Sequence, residues 1–248
     1  MNRVKYRLAV GFAGVMDEFR SFNHITSGTR TLMYHDIADS EHGNDLYVLP
    51  GARFRDHIKT VAAWANKEGV TFNPIGPTPR PGIAVTFDDG YLSTLTTAAP
   101  ILIKHNIPFH VFVTKSYCQS GNTRYLTETL LRELAAVPLA SFGTHGVTHV
   151  RLEQTSRHEL QSELVESRDW LEQVLQRPID SMSYPHGSIS NSVVTAVEMS
   201  GYNFACASQP GTFLSTQQRL HIPRIDIWSY DSARVALQKL RGAWDQLL

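Results

Sequence analysis

The chain has 248 residues, 42% of them hydrophobic, with 23 Lys plus Arg against 23 Asp plus Glu and a formal net charge of zero. That length suits one large α/β domain, and that apolar fraction excludes a disordered chain. The charge balance argues against a nucleic-acid partner or an acidic tail and points to a neutral or small-molecule ligand. Near the start, Lys5 and Arg7 precede a weakly apolar run, Leu8 to Met16, which meets Asp17 and Glu18 without a small-residue cleavage site. The expectation is an N-terminal helical extension over residues 1–30 and a cytoplasmic chain. No run reaches the roughly 18 apolar residues that a membrane span needs. Cys118 and Cys206 form no disulfide framework or C-x-x-C motif and read as buried thiols.

From Thr31 the pattern alternates between strands and helices. Thr31–Tyr34 predicts a strand, and Ala52–Lys67 a helix closed by Gly69. The proline-rich stretch Asn73–Gly82 breaks regular structure and leads into a buried strand, Ile83–Phe87. Leu92–His105 predicts a helix kinked at Pro100, followed by a strand at Phe109–Thr114, a short helix at Thr127–Ala136 and a strand at Leu139–Phe142. Ser156–Gln176 is a helix opened by a Ser156/Glu159 capping box and striped by Leu160, Leu164, Leu171, Val174 and Leu175. A strand at Ser181–Tyr184, a helix at Asn191–Met199, strands at Phe204–Ala207 and Leu220–Ile227, and a helix near Ser232–Arg241 complete the series. Such alternation implies parallel strands in a layered or barrel α/β fold, with the chemistry at the C-terminal strand ends.

Two stretches at those ends carry unusual residues. Val85–Gly90, "VTFDDG", drives a buried strand into adjacent carboxylates, Asp88 and Asp89. By itself this is either a solvated Asp-Gly turn or a charged site. "THGVTH", Thr144–His149, sets His145 and His149 four apart on a turn after a strand. Two imidazoles and one carboxylate match a catalytic zinc site, which takes three protein ligands and keeps one position open. One aspartate would then bind the ion while its neighbour stays free.

"TFDDG" and "THGVTH", followed by "SYPHG" at Ser183–Gly187, resemble the polysaccharide deacetylases, the NodB-homology group also called carbohydrate esterase family four. "LMYHDI" (Leu32–Ile37) and "IPRIDIW" (Ile222–Trp228) extend the resemblance over most of the chain. It implies a distorted (β/α) barrel with fewer than eight regular units, here one catalytic domain over residues 31–248. It also implies Asp89, His145 and His149 as metal ligands, with zinc as the leading ion, and Asp88 as general base. "SYPHG" departs from the members that carry an arginine where Ser183 stands; Arg224 either supplies that charge from another strand end or forms an ordinary structural ion pair. His186 falls where a backbone N–H helps to form an oxyanion hole. His221, the late histidine, is the candidate general acid, with His186 as its rival. His35 is expected to be structural, although it could face the same mouth. Tyr184 and Trp228 are either core or sugar-stacking aromatics. The implied function is metal-dependent removal of N-acetyl groups from an N-acetylhexosamine-containing glycan or its precursor, in cell-surface polysaccharide biosynthesis or modification. The implied partner is a carbohydrate, with a peripheral association with glycan-assembly machinery and no specified oligomer. The alternatives are a glycan-binding barrel that has lost catalysis and an O-acetyl esterase.

Overall fold

Strand β1 (Thr29–Tyr34) starts two residues earlier than its apolar pattern alone indicates, and all six of its residues are buried. In the computed structural model the described residues are 27–38, 45–245 and 247, with Tyr6, Ala9, Val10, Ala13 and Ile25. Most of the expected N-terminal extension, residues 1–30, lies outside them. After β1 come two short strands, β2 (Asp36–Ile37) and β3 (Val48–Leu49), which pair with each other in parallel. Helix α1 (Gly51–Glu68) ends at Gly69, whose φ of +68° lets the chain turn back. The proline-rich connection then delivers β4 (Gly82–Phe87), which is buried along its whole length.

The helix expected over Leu92–His105 is divided. A π-helical turn, Thr94–Ala98, leads into α2 (Ala99–Lys104). Pro100 has no N–H to give and sits in the first turn of α2, so the ladder is interrupted ahead of it rather than merely bent. Then follow β5 (Phe109–Val113), α3 (Lys115–Gln119), α4 (Glu128–Ala135), β6 (Ala140–Thr144) and α5 (Arg157–Leu175). The capping box at Ser156 and Glu159 opens α5 with both reciprocal hydrogen bonds in place. The chain continues through β7 (Ser181–Ser183), α6 (Asn191–Met199), β8 (Phe204–Cys206), β9 (Ile225–Asp226) and α7 (Ala233–Leu240).

Seven of the strands form one all-parallel sheet in the order β8-β7-β6-β5-β4-β1-β9. The strand expected over Leu220–Ile227 is shortened to β9 because its pairing changes partner on either side of Pro223. Ile222 bridges to Cys206 at one edge of the sheet, whereas Ile225 pairs with Leu32 near the other. This segment therefore curls the sheet round into a distorted (β/α) barrel. Among the described residues, no helix is long and apolar enough to cross a membrane.

Strand periodicity sorts the side chains. Leu32, Tyr34, Ile83, Val85, Phe87, Phe109, Val111 and Val113 pack outward with α1, α2, α4 and α5 in the main core cluster. Ala84, Phe112, Phe204, Cys206 and Ile222 meet inside the barrel. Gly143 also belongs to the interior, since a Cβ there would lie 2.6 Å from Ser181 Oγ and 2.8 Å from the Phe112 ring. Extending the inward parity beyond the strands brings Asp88, His145 and His35 to one mouth of the barrel.

Candidate active site

Asp88 still follows the strand, its N–H donating to Tyr34 O at 3.0 Å. Asp89 and Gly90 then adopt φ of +72° and +81°, which swings the second carboxylate away from the first. The Asp-Gly pair is therefore a turn, but a buried one: Asp88 and Asp89 are 2% and 7% exposed.

Asp88 is gripped by Arg224. Nη1 donates to Oδ1 at 2.6 Å and Nη2 to Oδ2 at 2.8 Å, a bidentate pair. Ser183 Oγ accepts from Arg224 Nη2 at 2.6 Å and donates to Asp88 Oδ2 at 3.0 Å. The other Arg224 donors reach Ala207 O at 2.8 Å and Thr86 Oγ1 at 3.2 Å, so each guanidinium N–H has a use. Burial alone would push the Asp88 carboxyl up, but the Arg224 charge and the Arg224 hydrogen bonds hold it well below the usual carboxylate range. Arg224 thus reaches Asp88 from β9's approach rather than from position 183.

The second carboxylate has a different environment. Asp89 Oδ1 is buried without a hydrogen-bond partner, yet lies 3.2 Å from His149 Nε2 and 3.6 Å from His145 Nε2. One ligand atom from each of these three residues lies within 4.8 Å of the others. His145 is fixed from behind: its Nδ1 is 2.9 Å from Ser183 O, so Nδ1 carries the proton and Nε2 presents a lone pair inward. Burial pushes the His145 imidazole down to about 4, against the opposing pull of Asp88 and Asp89, so it is neutral near pH 7. A buried carboxylate oxygen without a donor, facing two imidazole nitrogens, is the arrangement a divalent cation satisfies. The three residues fit such an ion, and imidazole with carboxylate suits zinc as well as several other transition metals.

A cavity of about 410 Å³ opens over this group. Its far wall contains two residues of which sequence reasoning made little. His35, expected to be structural, lies in the cavity with its ring 4.4 Å from Tyr47 and a buried Nδ1 that lacks a partner. Asp226 lies beside it in the same cavity, accepting from Trp228 Nε1 at 2.9 Å while its Oδ1 is buried and unpartnered. Burial pushes the Asp226 carboxyl up, partly countered by His35 and by the Trp228 hydrogen bond. Strand parity was the available signal: Met33 and His35, like Arg224 and Asp226, are alternate residues on inward rows.

The same parity separates His221 from the site. Ile222 and Arg224 point inward, so His221 points out, with Nε2 2.9 Å from Gln209 Oε1, and it does not line the cavity. His186 stays at the mouth on a turn with φ of +56°, its exposed ring 4.4 Å from that of His149 and its Nε2 3.0 Å from His149 O. Tyr184 is fully buried in a core cluster, its hydroxyl donating to Leu220 O at 2.8 Å. Trp228, 8% exposed, is engaged by Asp226 and lies under the Lys239 ammonium.

A profile of the polysaccharide deacetylase family matches residues 75–205, a span that carries Asp88, Asp89, His145, His149 and His186. YxkH of Bacillus subtilis is 28% identical over 207 residues, covering 79% of this chain and 70% of that protein. The poly-β-1,6-N-acetyl-D-glucosamine N-deacetylase of Staphylococcus epidermidis is 22% identical over 242 residues, covering 92% and 79% of the two chains. Among solved structures, the Streptococcus pyogenes deacetylase PplD, in complex with acetate, superposes with a TM-score of 0.75. That superposition covers 86% of this chain and 98% of PplD at 22% identity, a likeness of fold. With the profile spanning more than half of the sequence, this chain belongs to the polysaccharide deacetylase family.

Proposed function

We propose that this protein hydrolyses the acetamide of an N-acetylhexosamine unit in a glycan or glycan precursor, releasing acetate and leaving a free amino sugar. The observation that carries the reading is the division of labour between adjacent carboxylates: Asp88 is locked on Arg224, and Asp89 Oδ1 has no hydrogen-bond donor of its own and faces the Nε2 atoms of His145 and His149. Asp89, His145 and His149 would hold the cation, with zinc as the leading candidate. When bound, that ion supplies Lewis-acid chemistry, polarising an amide carbonyl and making water a stronger acid.

The chain's own residues supply the proton transfers. Arg224 and Ser183 keep Asp88 ionised and oriented, at some cost in basicity, so that it can take a proton from the attacking water. As the water oxygen bonds to the acyl carbon and the C–N bond breaks, the departing nitrogen needs a proton. His35, across the cavity beside Asp226, is the group we assign to donate it, in place of the outward-facing His221. His186 borders the mouth, where a backbone N–H of its turn would meet an oxyanion. A barrel that has lost catalysis is the alternative motivated by Ser183; the Arg224 pair on Asp88 supports the catalytic reading over it.

The Staphylococcus epidermidis relative's name favours polymeric N-acetylglucosamine as the first substrate to try. The test is acetate release from N-acetylated glucosamine oligomers, with and without chelator, beside matched O-acetyl esters. Chelator-sensitive release from the amides is expected. Sugar binding without acetate release in the presence of metal, or release from the esters alone, would overturn the proposal.

A further inference from the structure

The turn bearing both histidines is held by a carboxylate that the proposed reaction does not use. Residues 145–149 leave β6 and double back, with φ of +77° at Gly146 and +62° at His149. Their carbonyls are capped by the start of α3: Lys115 N–H donates to Gly146 O at 3.2 Å and Ser116 N–H to Val147 O at 2.8 Å. Their N–H groups converge instead on Glu163 of α5. Its Oε2 accepts from Val147 N–H at 2.6 Å and Thr148 N–H at 3.1 Å. Its Oε1 accepts from Thr148 N–H at 3.2 Å and from the Thr148 hydroxyl. Glu163 is 6% exposed, a rare setting for a carboxylate unless its charge is met, as these donors meet it. The approach is close enough that a Cβ at position 146 would lie 2.8 Å from Oε2, so the glycine of "HGVTH" leaves room for this contact.

The two histidines depend on this arrangement unequally. His145 is anchored by strands, its N–H donating to Val113 O at 2.8 Å and its Nδ1 facing Ser183 O at 2.9 Å. His149 lies beyond the strand, in a left-handed conformation that a residue with a Cβ adopts only under constraint. We infer that Glu163 is a positioning residue that shapes the turn to present His149 as the third ligand and thereby sets the affinity for the cation. This inference rests on the metal-site reading above.

Outer groups that orient metal ligands typically alter metal affinity about 10- to 100-fold. The experiment is zinc titration of the metal-free protein against a chromophoric chelator. Glu163→Gln keeps the volume but places an NH₂ among donors, and is expected to weaken zinc binding about 10- to 100-fold. Leu171→Ala, a core truncation on the same helix, is expected to lower the melting temperature while leaving zinc affinity within about twofold, since it orients no ligand. In a His149→Ala background, Glu163→Gln is expected to change the residual affinity by less than about twofold, because the ligand it positions is gone. Zinc binding by Glu163→Gln within about twofold of wild type, or an undiminished loss in the His149→Ala background, would overturn the inference. Should Glu163→Gln not fold, Thr148→Val removes one donor and leaves the carboxylate. About threefold or more weakening is then expected, and unchanged affinity overturns the inference. A wild-type protein that takes up neither zinc nor cobalt, nickel or manganese overturns the metal reading and this one with it, whereas failure of the Glu163 and Thr148 variants alone overturns only the positioning role.

Discussion

The barrel interior holds two buried polar clusters around a histidine, one toward each end. At the N-terminal end of the strands, His110 has Nδ1 2.8 Å from Ser141 Oγ and Nε2 3.1 Å from Ser181 Oγ. Burial, reinforced by the Arg224 charge, pushes this imidazole down to about 3. Each ring nitrogen has a hydroxyl partner, and each serine also reaches a backbone carbonyl, at 3.3 Å. At the C-terminal end, His145 has only its rear nitrogen committed, Asp89 Oδ1 has no partner, and the same is true of His35 Nδ1 and Asp226 Oδ1. His110 and His145, the histidine at the centre of each cluster, are 3% and 2% exposed, so burial of the ring does not distinguish them. Saturation and grouping do: a satisfied network rigidifies a core, whereas at the C-terminal end three residues with an unpartnered polar atom, His35, Asp89 and Asp226, border one cavity.

Substitutions on the two sides should break or sharpen that contrast. The largest expected effect is on the unsaturated side. Asp88→Asn should lower the rate of acetate release by about 10³- to 10⁴-fold, a general base's upper range, with metal content unchanged by elemental analysis. Near-normal turnover would remove Asp88 from the mechanism. Arg224→Met should cost about 3–5 kcal/mol by denaturant titration, because it strands a buried carboxylate. A stable variant would mean that Asp88 takes up a proton instead.

His35→Gln should reduce turnover about 10²-fold while leaving zinc affinity intact, and His221→Gln should leave both alone. The reverse pattern would restore His221 as the acid. The smallest effect is expected at the saturated end. The His110 pKa is depressed on folding, so its contribution to stability is complete above about pH 6.5 and is lost as pH falls toward about 3. His110→Asn should leave turnover within about twofold and flatten the acid-side slope of stability measured by thermal melts across that window. A loss of activity comparable to that of His35→Gln would abolish the distinction between the clusters.

The elements of this fold were legible where a local signal fixed them. The capping box of α5, the apolar run of β4 and the glycine closing α1 depend on neighbouring residues, and the structure has them in place. The strand over Leu220–Ile227 was not, because its pairing changes partner at Pro223 and no local pattern records a change of partner. Asp89, His145 and His149 were readable as a set because two short motifs contain them. His35 and Asp226 lie in segments whose inward parity is visible only once the strand is known to continue to the barrel mouth.

By itself the sequence determined the alternation of strands and helices, the turn that separates two neighbouring carboxylates, and the residue types able to hold a cation. Those follow from periodicity, backbone freedom and side-chain chemistry, which act over a few residues. Only the tertiary structure decided that Arg224, from a segment 136 residues further along the chain, would neutralise Asp88. It also decided that Glu163 would close on the histidine turn and that His221 would face outward. Those outcomes depend on how a curled sheet brings distant strand ends to one mouth, and closure of that kind is a property of the whole chain.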